Sequence, residues 1–228
     1  MPGEPSVGEP EPVADVPRET AAERAKVLDA IGADADAVAR LDALVELLER
    51  WSSRINLVAP STLPSVWSRH VADSAQLWSV APKRGGKWVD LGAGGGFPGL
   101  VVAALAASSD VRPVFHLLES DARKAVFLRT AAAAMELPII VETRRAEAAP
   151  PADATVVSAR ALAPLPRLLP LVARHLASDG VAVLPKGASW RDELTQARRA
   201  WHMADETRPS ATHPDAVILL LSEIACAD

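Results

Sequence analysis

The stretch V-D-L-G-A-G-G-G-F-P-G, residues 89–99, constrains this chain more than any other part of it. It falls between KWVDLG, a short apolar strand that ends in an acid, and GLVVAALAAS, an apolar run long enough for a buried helix. Glycines at a strand-to-helix turn let the backbone approach a ligand, and the free N–H groups at the following helix start favour electron-rich groups. Pro98 is tolerated at such a start. Residues 94–99 fit G-x-G-x-x-G, the dinucleotide fingerprint. The turn therefore points to a nucleotide-like ligand without naming it.

From Gly86 onward strand and helix alternate. The strand RPVFHLLES is followed by a helix from Asp121 to Met135, the strands LPIIVET and ATVVSAR, a helix around Leu165–Leu176 and the strand GVAVLPKG. This rhythm predicts an α/β fold, a Rossmann-like, doubly wound, mostly parallel sheet. Pro164, Pro166 and Pro170 predict an irregular start to the helix after Ala163. After a helix from Ser189 to Trp201, stretches near His202–Thr207 and Ala216–Glu223 have no helix between them and should close the sheet as an antiparallel hairpin. Upstream, Leu41, Leu44, Val45, Leu48 and Trp51 form one helical stripe, and a further helix is expected between Leu63 and Val80. Residues 1–20, with five prolines, read as a disordered acidic tail, 21–82 as an N-terminal helical region and 83–228 as the Rossmann-like domain.

Charge and cysteine usage exclude several functions. The net charge of −5 argues against a protein that coats nucleic acid nonspecifically, yet residues 121–200 carry twelve basic and eight acidic side chains, leaving a local basic excess. A single cysteine, Cys226, rules out an internal disulfide and a multi-cysteine metal site, so no metal is expected. No apolar run reaches the roughly 18 residues of a membrane span, and the acidic start is unlike a signal peptide, which places the chain in the cytoplasm.

Acids at the strand ends narrow the ligand. Asp90, just before the loop, suits a cationic cofactor end such as that of S-adenosylmethionine better than a pyrophosphate, which it would repel. Glu119 is placed to accept hydrogen bonds from a ribose diol, a role equally suited to NAD, and Glu147 could meet an adenine edge. Both cofactors survive this test.

Several stretches taken in order resemble one family, the small-subunit ribosomal RNA guanine-N7 methyltransferases, also called glucose-inhibited division protein B. They are Asn56-Leu57, R-H-V-A-D-S at 69–74, D-L-G-A-G-G-G-F-P-G at 90–99, L-L-E-S at 117–120 with Lys124 and Phe127-Leu128, R-A-E at 145–147, S-A-R-A at 158–161 and P-K-G at 185–187. The chain differs in carrying Glu119 where the family usually has Asp. The resemblance implies a class I methyltransferase fold, S-adenosylmethionine as cofactor, and methylation of N7 of a guanine in 16S rRNA of the small ribosomal subunit. It further implies that Gly92, Phe97, Ala146, Glu147 and Arg160 line the cofactor pocket beside Gly94 and Gly96, and that Arg145 and Arg160 sit near the incoming nucleotide.

Guanine N7 has an in-plane lone pair and no proton, so no general base is expected and positioning should dominate. Arg145, Arg160 and Lys186 are candidates to hold phosphate or guanine O6. His70 and Asn56 are further candidates for substrate contact, against the plainer readings of a core histidine and a turn-closing asparagine. Trp51, Trp67 and Trp78 sit at core-like helical positions. The alternatives are a small-molecule methyltransferase, favoured by the acidic pI, and an NAD-dependent oxidoreductase, favoured by the 94–99 pattern. Free rRNA and an assembled particle both stay open as substrate, and the near-neutral core without an added RNA-binding domain favours the preformed particle.

Overall fold

The computed structural model describes residues 18–227. The tail expected over 1–20 thus lies outside the described residues up to position 17, and its last three residues belong to the fold. Arg18 pairs with Glu49 at 3.2 Å, Glu19 accepts the backbone N–H groups of Trp67 and Ser68 at 2.8 and 2.9 Å, and Thr20 forms a capping box with Glu23. Thr-x-x-Glu is the sequence signature of that cap.

Helix α1 (Ala21–Ala30) and helix α2 (Ala35–Ser52) follow. Asp34 caps α2 by accepting from Ala37 N at 2.7 Å, and the helix buries Leu41, Leu44 and Leu48 completely. The single helix expected between Leu63 and Val80 is three unlike pieces: a 3-10 turn at Pro60–Ser65, a π turn at Trp67–Ala72, and helix α3 (Asp73–Val80). Pro64 within the first piece lacks an N–H for regular α pairing.

The remainder alternates as expected: β1 (Lys87–Leu91), α4 (Gly99–Ala106), β2 (Val114–Glu119), α5 (Ala122–Ala134), β3 (Ile140–Thr143), β4 (Ala154–Ser158), α6 (Leu165–His175), β5 (Leu176–Lys186), α7 (Trp190–Ala197), β6 (Trp201–Pro209) and β7 (Val217–Cys226). The sheet order is β3-β2-β1-β4-β5-β7-β6, parallel through β5 and antiparallel for β7 and β6. The hairpin does close the sheet, with β7 inserted between β5 and the edge strand β6. Pro164 is the N-cap of α6 and Pro166 falls in its first turn, where a missing N–H costs nothing.

Two cores sandwich the sheet. Trp88, Leu100, Leu117 and Phe127 join Leu41, Leu44 and Leu48 on one face; Val89, Leu91, Val157, Leu184 and Leu219 join Leu165, Leu168 and Leu169 on the other. Trp67 is buried in the first core, and Trp51 and Trp78 pack against it half-buried. Register puts Asp90 beside Leu117 on one neighbour and Ser158 on the other.

Candidate functional site

Strand order reverses between β1 and β4, and ligands of open α/β sheets bind outside the strand C-termini at such a point. The glycine loop leaves β1 here. Gly92 N and Ala93 N donate to the Leu118 carbonyl at 2.9 and 3.1 Å, and Gly94 N donates to Glu119 Oε2 at 2.8 Å. Glu119 Oε1 accepts from Asp121 N at 2.7 Å, so one carboxylate braces the loop against the end of β2. Gly92, Gly94 and Gly96 have φ of +69°, +53° and +88°, backbone that L side chains rarely adopt. Gly95 is required for another reason: a Cβ there would lie 2.8 Å from the Leu57 carbonyl. Asn56 is itself exposed, yet its neighbour Leu57 closes directly on the loop. The Phe97–Pro98 bond is cis.

Asp90 does not face the ligand side. It is fully buried, with Oδ2 accepting from Gly99 N at 3.0 Å and Oδ1 from Ser158 Oγ at 2.7 Å. Ser158 Oγ in turn accepts from Trp88 Nε1 at 2.9 Å. With no exposed surface, Asp90 offers no direct contact to a cofactor's cationic end; it anchors the loop's far end to β1 and β4. Burial pushes its carboxyl up to about 7, opposed by the Ser158 and Gly99 hydrogen bonds and the Arg160 charge and aided by Glu119.

Arg160 emerges two residues beyond β4. Its Nη1 donates to Asp73 Oδ2 at 3.0 Å, its Nη2 lies 2.6 Å from His70 Nδ1, and its guanidinium carbon is 5.4 Å from the Phe97 ring centre. His70 stacks on the same ring, centroids 5.0 Å apart. His70 Nε2 is 2.8 Å from Thr62 Oγ1, whose own proton goes to the Ala59 carbonyl at 2.8 Å. Thr62 therefore accepts, Nε2 carries the hydrogen, and the Nδ1 lone pair receives Arg160. Burial first and the Arg160 charge second push His70 down to about 4, against the pull of Asp73, so the ring is neutral as this arrangement demands. His70 lies in the π turn, a rare geometry that recurs at functional sites.

The next residues hold this wall in place. Ala161 has φ of +55°, unfavourable for a side chain by about 1–2 kcal/mol. Leu162, 40% exposed, overhangs the loop, since a Cβ on Gly92 would sit 2.7 Å from its Cδ1. Lys186, expected to reach substrate, is instead committed inward: Nζ donates to the Ala163 carbonyl at 3.0 Å and to Glu193 Oε2 at 2.9 Å, with 9% of its side chain exposed. The same Glu193 oxygen accepts from Leu165 N at 2.7 Å. Burial acts to raise the Glu193 carboxyl, but the Lys186 and Leu165 hydrogen bonds win and leave it below its usual range.

The turn after β3 forms a third, looser wall. Arg144 N donates to the Glu119 carbonyl at 3.1 Å, which brings the turn to the end of β2. Arg145 and Glu147 follow as open charges, their side chains 73% and 59% exposed and 4.0 Å apart. Ala146 is buried, its carbonyl accepting from His175 Nε2 at 2.8 Å. The structure thus gathers Gly92–Phe97, Glu119, Arg160 and His70, leaves Arg145, Glu147 and Asn56 on the rim, and turns Asp90 and Lys186 inward. Sequence reasoning did not single out Asp73, Ser158 or Thr62. The H-x-x-D spacing at 70–73 was a readable signal, because three residues apart share one helical face.

Residues 37–216 match the family model described as rRNA small subunit methyltransferase G. "Ribosomal RNA small subunit methyltransferase G" of Rhodospirillum centenum is 52% identical over 198 residues, 86% of this chain and 88% of that one. The protein of the same name from Cereibacter sphaeroides is 46% identical over 200 residues, 88% of this chain and 96% of that one. Among solved structures, a mutant of MtNAS in complex with S-adenosylmethionine superposes with a TM-score of 0.56 at 16% identity, covering 88% of this chain and 82% of that one. That likeness shows the fold alone, an open α/β sheet of the same architecture. The choice between NAD and S-adenosylmethionine, open in the glycine pattern, falls to S-adenosylmethionine, because the chain belongs to the rRNA small subunit methyltransferase G family.

Proposed function

We propose that the chain transfers the methyl group of S-adenosylmethionine to N7 of one guanine in 16S rRNA, within a small-subunit particle in the cytoplasm. The observation that carries this reading is the juxtaposition of a glycine cradle braced by Glu119 with Arg160, seated on Phe97 and neutralised by Asp73.

The residues fit the cofactor. Glu119 accepts one bond at each oxygen and keeps lone pairs for the hydroxyls of a ribose. Gly92, Gly94, Gly96, Phe97, Glu119 and the Ala146-Glu147 turn would hold it, with Asp90 fixing the loop from beneath. When bound, S-adenosylmethionine supplies an electrophilic methyl carbon on a cationic sulfur. Guanine N7 would accept that methyl with a lone pair and carries no proton, so the chain's own residues would need to hold and orient the base rather than supply a general base. A neutral His70 whose lone pair is occupied by Arg160 suits a reaction of this kind.

Positive charge ends on the purine. An uncompensated guanidinium about 4 Å away would oppose this by about 4 kcal/mol at an effective dielectric of 20. Asp73 offsets that charge while leaving the flat guanidinium able to stack or donate to guanine O6 or phosphate. Exposed Arg144 and Arg145 suit backbone phosphates on the rim. With so few basic contacts, shape supplied by a preformed particle would have to provide much of the recognition.

The test is transfer of labelled methyl to small subunits from cells lacking the enzyme, run beside naked 16S rRNA and metabolite extract, with Arg160→Ala as control. Label that depurinates as N7-methylguanine, and falls at least 100-fold in the variant, supports the reading. Label only in metabolites, or none in RNA with normal cofactor binding, overturns it.

A further inference from the structure

The turn between β6 and β7, residues 210–216, is hydrogen-bonded to helix α3, and it docks on the acid that holds Arg160. Thr212 Oγ1 donates to Asp73 Oδ1 at 2.9 Å, and Gln76 Nε2 donates to the same oxygen at 3.0 Å. Gln76 also binds the turn itself: its Oε1 accepts from Ala211 N at 2.9 Å, and its Nε2 lies 3.2 Å from Ser210 Oγ. Thr212 N closes the turn on Ser210 Oγ at 3.2 Å. The other oxygen of Asp73 is the one that receives Arg160 at 3.0 Å.

We propose that this turn is a positioning element of the candidate site, acting on Arg160 through Asp73, a role that rests on the methyltransferase reading above. The terminal torsion of an aspartate is broad and roughly two-fold, so a carboxylate gripped at one oxygen alone swings freely. Thr212 and Gln76 fix Oδ1, and that fixes where Oδ2 stands. Arg160 is then held at two nitrogens by acceptors on two separate turns of one helical segment, Asp73 and His70, with the Phe97 ring beneath it. Thr212 and Ala211 are exposed, so polar contacts of this kind add little to the stability of the overall fold. What the contacts do accomplish is to tie Asp73 to a turn 139 residues further along the chain, and through Asp73 to orient one guanidinium.

The experiment uses Thr212→Val, Thr212→Ser and Asp73→Asn in the full chain, alone and with Arg160→Ala. Loss of one orienting hydrogen bond should lower kcat on small subunits about three- to tenfold in Thr212→Val. Affinity for S-adenosylmethionine and the melting temperature should not change, and Thr212→Ser, which keeps the hydroxyl, should recover the wild-type rate. In the Arg160→Ala background Thr212→Val should have no further effect. A Thr212→Val rate equal to wild type, or a full-sized effect without Arg160, overturns the proposal. Should wild-type enzyme label no RNA at all, the functional reading falls separately, and the guanidinium NMR signals of Arg160 decide this one. Distinct, slowly rotating Nη signals in wild type that coalesce in Thr212→Val and Asp73→Asn support it; identical spectra overturn it.

Discussion

Replacing Ser158 by alanine tests the buried chain of hydrogen bonds that ties the glycine loop to the sheet. Trp88, Asp90 and Ser158 have no exposed surface, and the Ser158 hydroxyl is the only partner given to Trp88 Nε1 among the described residues and one of two given to Asp90. Leaving the indole N–H unpaired costs about 1–3 kcal/mol, and a hydrogen bond lost from a charged carboxylate about 1.5–3 kcal/mol. The second cost applies only where Asp90 is ionised. Its folded pKa, about 7, stands above the ordinary value of 3.8, so its contribution to stability is greatest at low pH and is lost as pH rises through 7. Without Ser158 that pKa climbs further, and the variant goes on losing stability above pH 7 where wild type has levelled off. Urea unfolding should therefore show a loss of about 1–3 kcal/mol at pH 6 and about 3–5 kcal/mol at pH 8.5. A difference that is the same at both pH values, or below about 0.5 kcal/mol at both, would refute the reasoning.

Three further outcomes follow from the same geometry. In wild type, the raised Asp90 pKa should cost about 1.4 kcal/mol of stability per pH unit between pH 5 and 7, and Asp90→Asn should remove that slope in urea unfolding. Gly95→Ala, whose new methyl would meet the Leu57 carbonyl at 2.8 Å, should weaken S-adenosylmethionine binding at least tenfold by calorimetry; unchanged affinity would mean that the 55–57 segment yields freely. Lys186→Met leaves Glu193 without its cation and frees the Ala163 carbonyl, so a loss of about 2–4 kcal/mol in thermal unfolding is expected, with a large rise in KM for RNA counting against its inward role.

The parts of the fold carried by local periodicity were legible in the sequence. Alternating strand and helix from Gly86, the glycine turn and the helix-free tail after Trp201 lead directly to the observed sheet. What failed were features decided by tertiary contact. Lys186 sits at a strand end like a ligand-facing lysine, and only the packing of α7 supplies Glu193 to take it. The region from Pro60 to Val80 has one apolar stripe, but a 3-10 turn and a π turn fit it better than one straight helix. Asp90 was half legible: strand residues alternate faces, so it shares a face with Trp88, which packs in the core. Asp73 was missed because its value comes from partners at 160 and 212, which no local pattern connects.

The Glu19 carboxylate sets where this protein can be shortened. It caps the first turn of the segment that carries Arg69 and His70, by accepting from Trp67 N and Ser68 N. A chain beginning at Arg18 keeps this cap and the Thr20 box. A chain beginning at Ala21, trimmed of what composition marks as dispensable tail, uncovers backbone donors only two residues from His70. The smallest intact enzyme is therefore set by a hydrogen bond at the edge of its site, and a trimming series that stops at 18 and at 21 separates the tail's own contribution from damage to the ring that supports Arg160.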